Sequence, residues 1–429
     1  MEISKAKKRT IKFNLSLDSN VIFDLLFLLY IFGLLAHKTA VGFDAIFCRV
    51  TFVLYIGYFI FWLFYNKEKN KIYFQRNMTF FLWYLVFTFF GLLSLLWATS
   101  VPKVFSYLNN FVQILGIAFT LGVRIQNKED VVKYIIYFVI GILYACLIVI
   151  IRTPASDWEK NRIGGVLGTH ENAFGNYVST GFILCFWLMR EQKSVLKKIF
   201  YMLLCLLFLI FSLYSGSRGS VIKILIGAIL LVFLMLKKGK NRFLLLLIVI
   251  VGAMFVYNIL VSNYFFYSII GKRLVGLVNY LQGNGESVDS STLERLYFID
   301  FATDLFKLKP WFGFGLNNFA YQLELVSYRH AVYAHNNYWE LLSDLGVIGT
   351  LLYYSIFGFY LYLFISKKSN SSLSKFALAI LLISIIFDYT TISYQNVFSL
   401  SIVFLATKAI DFSESNTQEV YYGKKILQA

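Results

Sequence analysis

The chain has 429 residues, of which 59% are hydrophobic, 19% aromatic and only 15% charged, with 3 prolines and a mean hydropathy of +0.67. Soluble domains are nearer half apolar, so an ordinary globular enzyme is excluded and an all-α polytopic membrane protein is expected. The net charge of +17 does not point to nucleic acid, because the basic residues recur as short clusters between apolar runs, the arrangement of loops held at an anionic leaflet.

Residues 1–20 are polar and basic, and no small-residue cleavage site follows the first apolar run, so that run is expected to stay as a helix. About twelve segments are long and apolar enough to span a bilayer, for which about 20 residues are needed. They lie near 21–37, 45–65, 78–97, 107–123, 132–151, 173–189, 199–214, 219–236, 243–263, 346–366, 376–391 and 394–408. Only Thr391, Ile392 and Ser393 separate the last two. Cys48, Cys146, Cys185 and Cys205 fall inside apolar runs with no CxxC pair, which reads as buried small hydrophobes rather than a disulfide or metal site.

With the amino terminus cytoplasmic, alternate connections fall inside, and each of those is basic. They carry Lys67, Lys69, Lys71 and Arg76; Arg124, Lys128 and Lys133; Arg190, Lys193, Lys197 and Lys198; Lys237, Lys238, Lys240 and Arg242; and Lys367, Lys368 and Lys375. The tails add Lys5, Lys7, Lys8, Arg9 and Lys12 at one end and Lys408, Lys424 and Lys425 at the other. Both termini are therefore expected in the cytoplasm, and all 4 histidines (His37, His170, His330 and His335) outside. An extracytoplasmic working face has no ATP or nucleotide sugar, so a reaction there must use an already activated substrate.

Residues 264–345 are too long and too polar for a simple connection. They are expected to form one large extracytoplasmic loop between an amino-terminal bundle of about nine spans, 1–263, and the carboxyl-terminal spans and cytoplasmic tail, 346–429. Gly283-Asn284-Gly285 marks a turn. Ser291-Thr292-Leu293-Glu294 fits a capping box. The helix it opens aligns Leu293, Leu296, Tyr297, Phe301, Leu305 and Leu308 on one face until Pro310 stops it. That is an amphipathic helix, lying either on the outer leaflet and bundle or inside a folded loop domain.

Three polar motifs fall on the outer side. Arg162-Ile163-Gly164-Gly165, with His170-Glu171-Asn172 and Gly175-Asn176, leads into the sixth span. Its glycines admit close backbone approach, and asparagines capping a helix amino terminus favour an anion. On spacing alone an ordinary polar loop fits as well. Ser215-Gly216-Ser217-Arg218-Gly219-Ser220 is a hairpin that keeps Arg218 near the hydrocarbon boundary, where an arginine needs an anion or a wet cavity. Its guanidinium matches phosphate oxygens with paired hydrogen bonds; the plain alternative is snorkelling to the headgroups. Lys223, five residues on, falls off that helical face and is expected to add positive potential rather than a second direct ligand. The third motif joins Pro310-Trp311-Phe312-Gly313-Phe314-Gly315-Leu316-Asn317-Asn318-Phe319 to His335-Asn336-Asn337-Tyr338. His335 suits proton transfer near neutral pH, although a loop histidine is more often structural, and Arg329 and His330 lie near it in sequence. No metal-ligand spacing, HExxH, P-loop or Gly-x-Ser-x-Gly elbow occurs, so no metal or other cofactor is expected.

Together these motifs resemble the O-antigen ligase and polymerase family of bacterial membrane glycosyltransferases. The resemblance is carried by Arg295, by the run from Lys309 to Phe319, by His335-Asn336-Asn337-Tyr338 and by Leu345-Gly346-Val347-Ile348-Gly349, with Ser217-Arg218-Gly219 and Asn172 matching upstream. It implies metal-independent transfer of a glycan from undecaprenyl diphosphate to an acceptor hydroxyl at the outer face of the bacterial cell (inner or plasma) membrane. Attack opposite the leaving group would invert the anomeric centre. The resemblance assigns Arg162 and Arg218 to the diphosphate, with Arg295 a further matching arginine, and His335 to the general base. Asn172, Ser217, Gly219, Gly313, Gly315, Asn336, Asn337 and Tyr338 are supporting positions. Arginines neutralise a diphosphate leaving group without a divalent ion, and the base removes the hydroxyl proton as the bond to C1 forms. The aromatic-rich helices, with 45 Phe and 30 Tyr in the chain, offer a groove for the prenyl chain or serve as plain membrane packing.

The implied partners are the lipid-linked donor, a glycan or lipid-linked acceptor, membrane lipids, and the chain-length regulator and flippase of the same pathway. Polymerisation of lipid-linked repeat units into O-antigen or capsule is preferred, since no segment stands out as a docking site for a large second acceptor. A ligase acting on lipid A core, protein or wall polymer is the alternative. A transporter of the same lipid would need charges near mid-membrane and repeated halves. Asp24, Arg49 and Asp388 sit toward helix ends, and no internal repeat is visible.

Overall fold

The computed structural model describes residues 19–37, 42–65, 78–236, 240–264, 267–281, 290–327, 333–367 and 370–412. Lys67, Lys69, Lys71, Arg76, Lys237, Lys238, Gly283-Asn284-Gly285, Arg329, His330, Lys368 and the charged tails lie outside them. Among the described residues every regular element is helical. The principal helices are α1 (Ser19–Ala36), α2 (Phe43–Tyr65), α3 (Thr79–Leu93), α4 (Leu108–Arg124), α5 (Lys128–Arg152), α6 (Glu171–Glu191) and α7 (Val195–Tyr214). They continue with α8 (Arg218–Met235), α9 (Lys240–Ser262), α10 (Ser290–Leu308), α11 (Asn318–Ser327), α12 (Asn337–Lys367), α13 (Ser372–Phe387) and α14 (Val397–Phe412).

Each apolar run expected to span coincides with a helix, α1 to α9 and α12 to α14. Among the described residues 8 helices are long and apolar enough to cross a membrane: α1, α2, α3 with its last 3-10 turn, α4 with the short helix before it, α5, α7, α8 and α12. Helix α13 is apolar but only 16 residues long, and α6 carries Asn172, Asn176, Ser179 and Thr180. The chain is thus a multi-pass membrane protein. Exposed Val53 and Phe61 on α2, Phe89 on α3 and Leu203 on α7 give the bundle an apolar outer surface, as lipid requires and water does not.

Helix α1 packs against α2 and α5, α6 against α7 and α8, α8 against α13, and α13 against α14, all sharing one core. Several charges inside this bundle are paired. Asp24 accepts from Lys133 at 3.0 Å and from the Tyr134 hydroxyl at 3.2 Å. His37 bonds Asp44 at 2.7 Å and the Tyr144 hydroxyl at 2.9 Å. Lys408, read from sequence as part of the basic tail, lies inside α14 instead, fully buried and 3.6 Å from Asp411. Cys146, Cys185 and Cys205 are buried free thiols and Cys48 is half-buried.

Two features of the 290–345 region differ from the sequence pattern. Helix α10 starts at Ser290, so Ser291 lies in its first turn rather than at its cap. Its buried face is Thr292, Phe298, Ala302 and Leu305, while Leu293, Tyr297 and Leu308 from the expected stripe are exposed. Apolar residues occur on both sides of this helix, so periodicity alone could not choose. Phe319, Leu323 and Ala334 make the choice by closing a satellite core over Phe298 and Ala302.

Helix α12 is broken at Gly346 (φ 64, ψ −168), and the segment from Pro310 to Phe319 splints the break. Phe314 N–H donates to Ser343 O at 2.9 Å, Gly315 N–H to Asp344 O at 2.8 Å, and Val347 N–H to Pro310 O at 2.8 Å. Backbone groups freed by a broken helix in a membrane protein must find such partners. Gly313 (φ +63) and Gly315 (φ +102) are required here. A Cβ on Gly313 would strike the Asp344 backbone, and one on Gly315 would sit 2.5 Å from the Ala98 Cβ. The buried Asp344 carboxylate completes the splint, accepting from Asn317 N–H at 2.7 Å and Phe319 N–H at 2.6 Å.

Candidate active site

The amino-terminal ends of α6, α8 and α10 converge on a cavity of about 320 Å³, and the segment leading into α12 borders it. Local sequence explains each start. His170 caps α6, its Nδ1 accepting from Asn172 N–H at 3.1 Å, a role expected of an asparagine. Ser217 caps α8 through Ser220 N–H at 3.4 Å. Each helix start brings the positive end of its peptide dipole to the cavity.

Arg162, Arg218 and Arg295 all line this space, as do Asn172, Ser217, Gly219 and His335. Arg162 lies over the Gly216 turn (φ +60), where a Cβ would come 2.8 Å from its Cγ. Its Nε donates to Ser215 O at 2.8 Å and its Nη2 to Asn172 Oδ1 at 2.6 Å, with Glu171 3.5 Å away. Arg218 bridges two helices, donating to Ser291 Oγ at 2.9 Å and Thr292 Oγ1 at 3.0 Å. The hydroxyls expected to cap α10 thus hold a guanidinium.

His335 adopts a left-handed backbone (φ 54), uncommon outside glycine. Its ring lies 4.1 Å from that of Tyr333 and parallel to Phe298 at 6.2 Å. Burial first, then the positive charges of Arg295 and His170, pushes the imidazole down from its usual 6.5 to about 4. At neutral pH it is therefore unprotonated, the form a base needs.

The rest of the His335-Asn336-Asn337-Tyr338 motif does not line the cavity. Asn336 Oδ1 caps α12 by accepting from Tyr338 N–H at 3.0 Å and Trp339 N–H at 3.2 Å. Buried Asn337 accepts from Ser393 N–H at 2.8 Å and Tyr394 N–H at 3.1 Å, and its amide donates to Asp388 at 3.2 Å. The Tyr338 hydroxyl donates to Ile385 O at 2.6 Å. Asn337 thus ties the start of α12 to the α13–α14 connection and Tyr338 ties it to the end of α13, whereas Asn336 caps α12 itself. Gly313 and Gly315 likewise sit in the splint, not in the cavity wall.

Sequence reasoning missed part of the lining. Thr390, Thr391, Gln395 and Asn396 of the α13–α14 connection also line the cavity, as does Tyr333. Their one signal was the polar interruption between the last two apolar runs. Lys223 also lines the cavity, one and a half turns below Arg218.

A cavity lined by three arginines and a lysine, by amides and hydroxyls, by Glu294 and by two imidazoles, of which His335 is uncharged, defines a site for an anionic, hydroxyl-rich ligand. Residues 203–354, from within α7 to within α12, match the family model for O-antigen ligase. Over 309 residues the chain is 25% identical to the teichuronic acid biosynthesis protein TuaE of Bacillus subtilis (strain 168), a match covering 65% of this chain and 60% of that protein. The chain thus spans less than two thirds of the length of that curated relative. Residues 203–354 thus resemble an O-antigen ligase domain, and the two matches together support kinship with the O-antigen ligase/polymerase family.

Proposed function

We propose that the protein polymerises undecaprenyl-diphosphate-linked oligosaccharide repeat units into an envelope polysaccharide by metal-independent, inverting glycosyl transfer. The observation that carries this is the meeting of Arg162, Arg218, Arg295 and His335 around one cavity at three helix amino termini. The diphosphate seats against the guanidiniums, which hold the charge that develops as the bond from C1 to the phosphate oxygen breaks. An acceptor hydroxyl attacks C1 from the opposite side and gives its proton to an unprotonated nitrogen of His335. The bound diphosphate offsets the positive charge beside the imidazole and makes it a stronger base than in the empty site. Undecaprenyl diphosphate then leaves.

In this reading about twelve helices span the inner or plasma membrane, both termini are cytoplasmic and the cavity opens extracytoplasmically, following the basic clusters. Residues 264–345 then form the outer loop. The likeness to a teichuronic acid biosynthesis protein supports an envelope polysaccharide as product. Purified protein supplied with one lipid-linked repeat unit and no other acceptor tests the proposal: a ladder of longer lipid-linked glycans is expected. Transfer that starts only after adding lipid A core, a protein or a wall polymer would replace polymerase with ligase, and no transfer with any acceptor would overturn both.

A further inference from the structure

The floor of the cavity is formed by Lys223, about 7.5 Å further along α8 than Arg218 at 1.5 Å per residue. Its Nζ donates to Asn176 Oδ1 and Thr180 Oγ1, each at 2.7 Å, both on α6. Both acceptors are neutral, and among the described residues no carboxylate lies within ion-pair distance of this ammonium. Asp388 borders a smaller void of about 40 Å³ behind the floor, which Lys223 also lines. That carboxylate accepts instead from the Tyr354 hydroxyl at 2.7 Å and from Asn337. An ammonium carries three N–H donors, and two are used.

Lys223 is half-buried, and a cation withdrawn from water and held only by neutral groups lowers stability unless an anion joins it. The arginines alone explain a rim that attracts phosphate; they give no reason for a further cation below. We propose that Lys223 is a direct phosphate ligand, its third N–H taking an oxygen of the deeper phosphate and setting how far the diphosphate descends. This rests on the diphosphate reading above. It also replaces the expectation that Lys223 adds only potential.

The test uses full-length purified protein, wild type against Lys223→Gln and Lys223→Met. Unfolding temperature without ligand and affinity for undecaprenyl diphosphate and for inorganic pyrophosphate are measured. The variants should be at least as stable as wild type when empty, because an uncompensated charge is gone. Both ligands should bind about tenfold to a hundredfold more weakly, the range for one lost charge-assisted contact. Destabilised variants with unchanged affinity would make Lys223 a strut between α6 and α8 and overturn the proposal. Weakened lipid binding with unchanged pyrophosphate binding would also overturn it, since the contact would then not be to phosphate. Thr180→Val gives an answer even if the lysine variants do not fold. It removes one neutral acceptor, so undecaprenyl diphosphate should stabilise it more than wild type, and equal stabilisation counts against a phosphate contact. Failure of wild type to bind undecaprenyl diphosphate would sink the diphosphate reading itself, whereas equal binding by wild type and Lys223→Gln would sink only the role of Lys223.

Discussion

Replacing His335 by asparagine separates catalysis from folding. Asparagine tolerates the left-handed backbone, and the chain already holds one there at Asn317 (φ 57). The backbone and the Asn336 cap of α12 should persist. What folding loses is the ring contact with Tyr333 and Phe298, about 0.5–1.5 kcal/mol. What catalysis loses is the base, worth about 10²–10⁴ in rate, or about 2.7–5.4 kcal/mol of barrier. Initial rates of glycan extension at saturating donor would be measured beside thermal unfolding and undecaprenyl diphosphate affinity. The expected pattern is a rate loss within that range, with donor affinity unchanged and stability reduced by about 1 kcal/mol. A rate within threefold of wild type would remove His335 as the base. A rate loss matched by an equal loss of donor affinity would recast it as a binding residue.

Arg218→Lys keeps the charge but loses the fork that reaches Ser291 and Thr292, so kcat/KM should fall about a hundredfold; an unchanged value would contradict paired binding of phosphate. The base acts unprotonated, so activity falls as pH drops through its pKa, and the acid limb of kcat/KM should lie at about pH 4 rather than 6.5. Arg295→Gln removes a positive charge that holds that value down, so the limb should move to higher pH, and a stationary limb would contradict the coupling. Asp344→Asn replaces one of the two carboxyl oxygens that accept backbone N–H groups in the splint of α12 and should destabilise by about 1–3 kcal/mol, visible in thermal unfolding; an unchanged transition would mean the splint is dispensable. EDTA should leave glycan extension unchanged, because three guanidiniums line the cavity that would hold the phosphates, and loss of activity restored by magnesium would contradict a metal-free mechanism.

The apolar runs were legible because a spanning segment must satisfy its own backbone, which leaves a long uninterrupted signature. The break in α12 was not, since Gly346 reads as an ordinary glycine until the Pro310–Phe319 backbone is laid beside it. The same limit explains α10, where Phe298 and Leu293 lie on different apolar faces and only Phe319 and Leu323 decide which is buried. At the site, Arg218 and His335 were legible from the residues themselves, Arg162 as part of a polar motif and Arg295 through the family resemblance alone, and their meeting in one cavity was not legible. Their supporting residues divide in a way spacing cannot show: Asn172 touches Arg162, whereas Asn337 holds the α13–α14 connection. That connection supplies Thr390, Thr391, Gln395 and Asn396, hidden where the last two apolar runs nearly meet.

The most direct measurement is a structure of the protein with an undecaprenyl-diphosphate-linked oligosaccharide bound. The diphosphate is expected among Arg162, Arg218 and Arg295, with the anomeric carbon turned toward His335. A diphosphate seated elsewhere on the bundle, with this cavity empty, would contradict the assignment of the site.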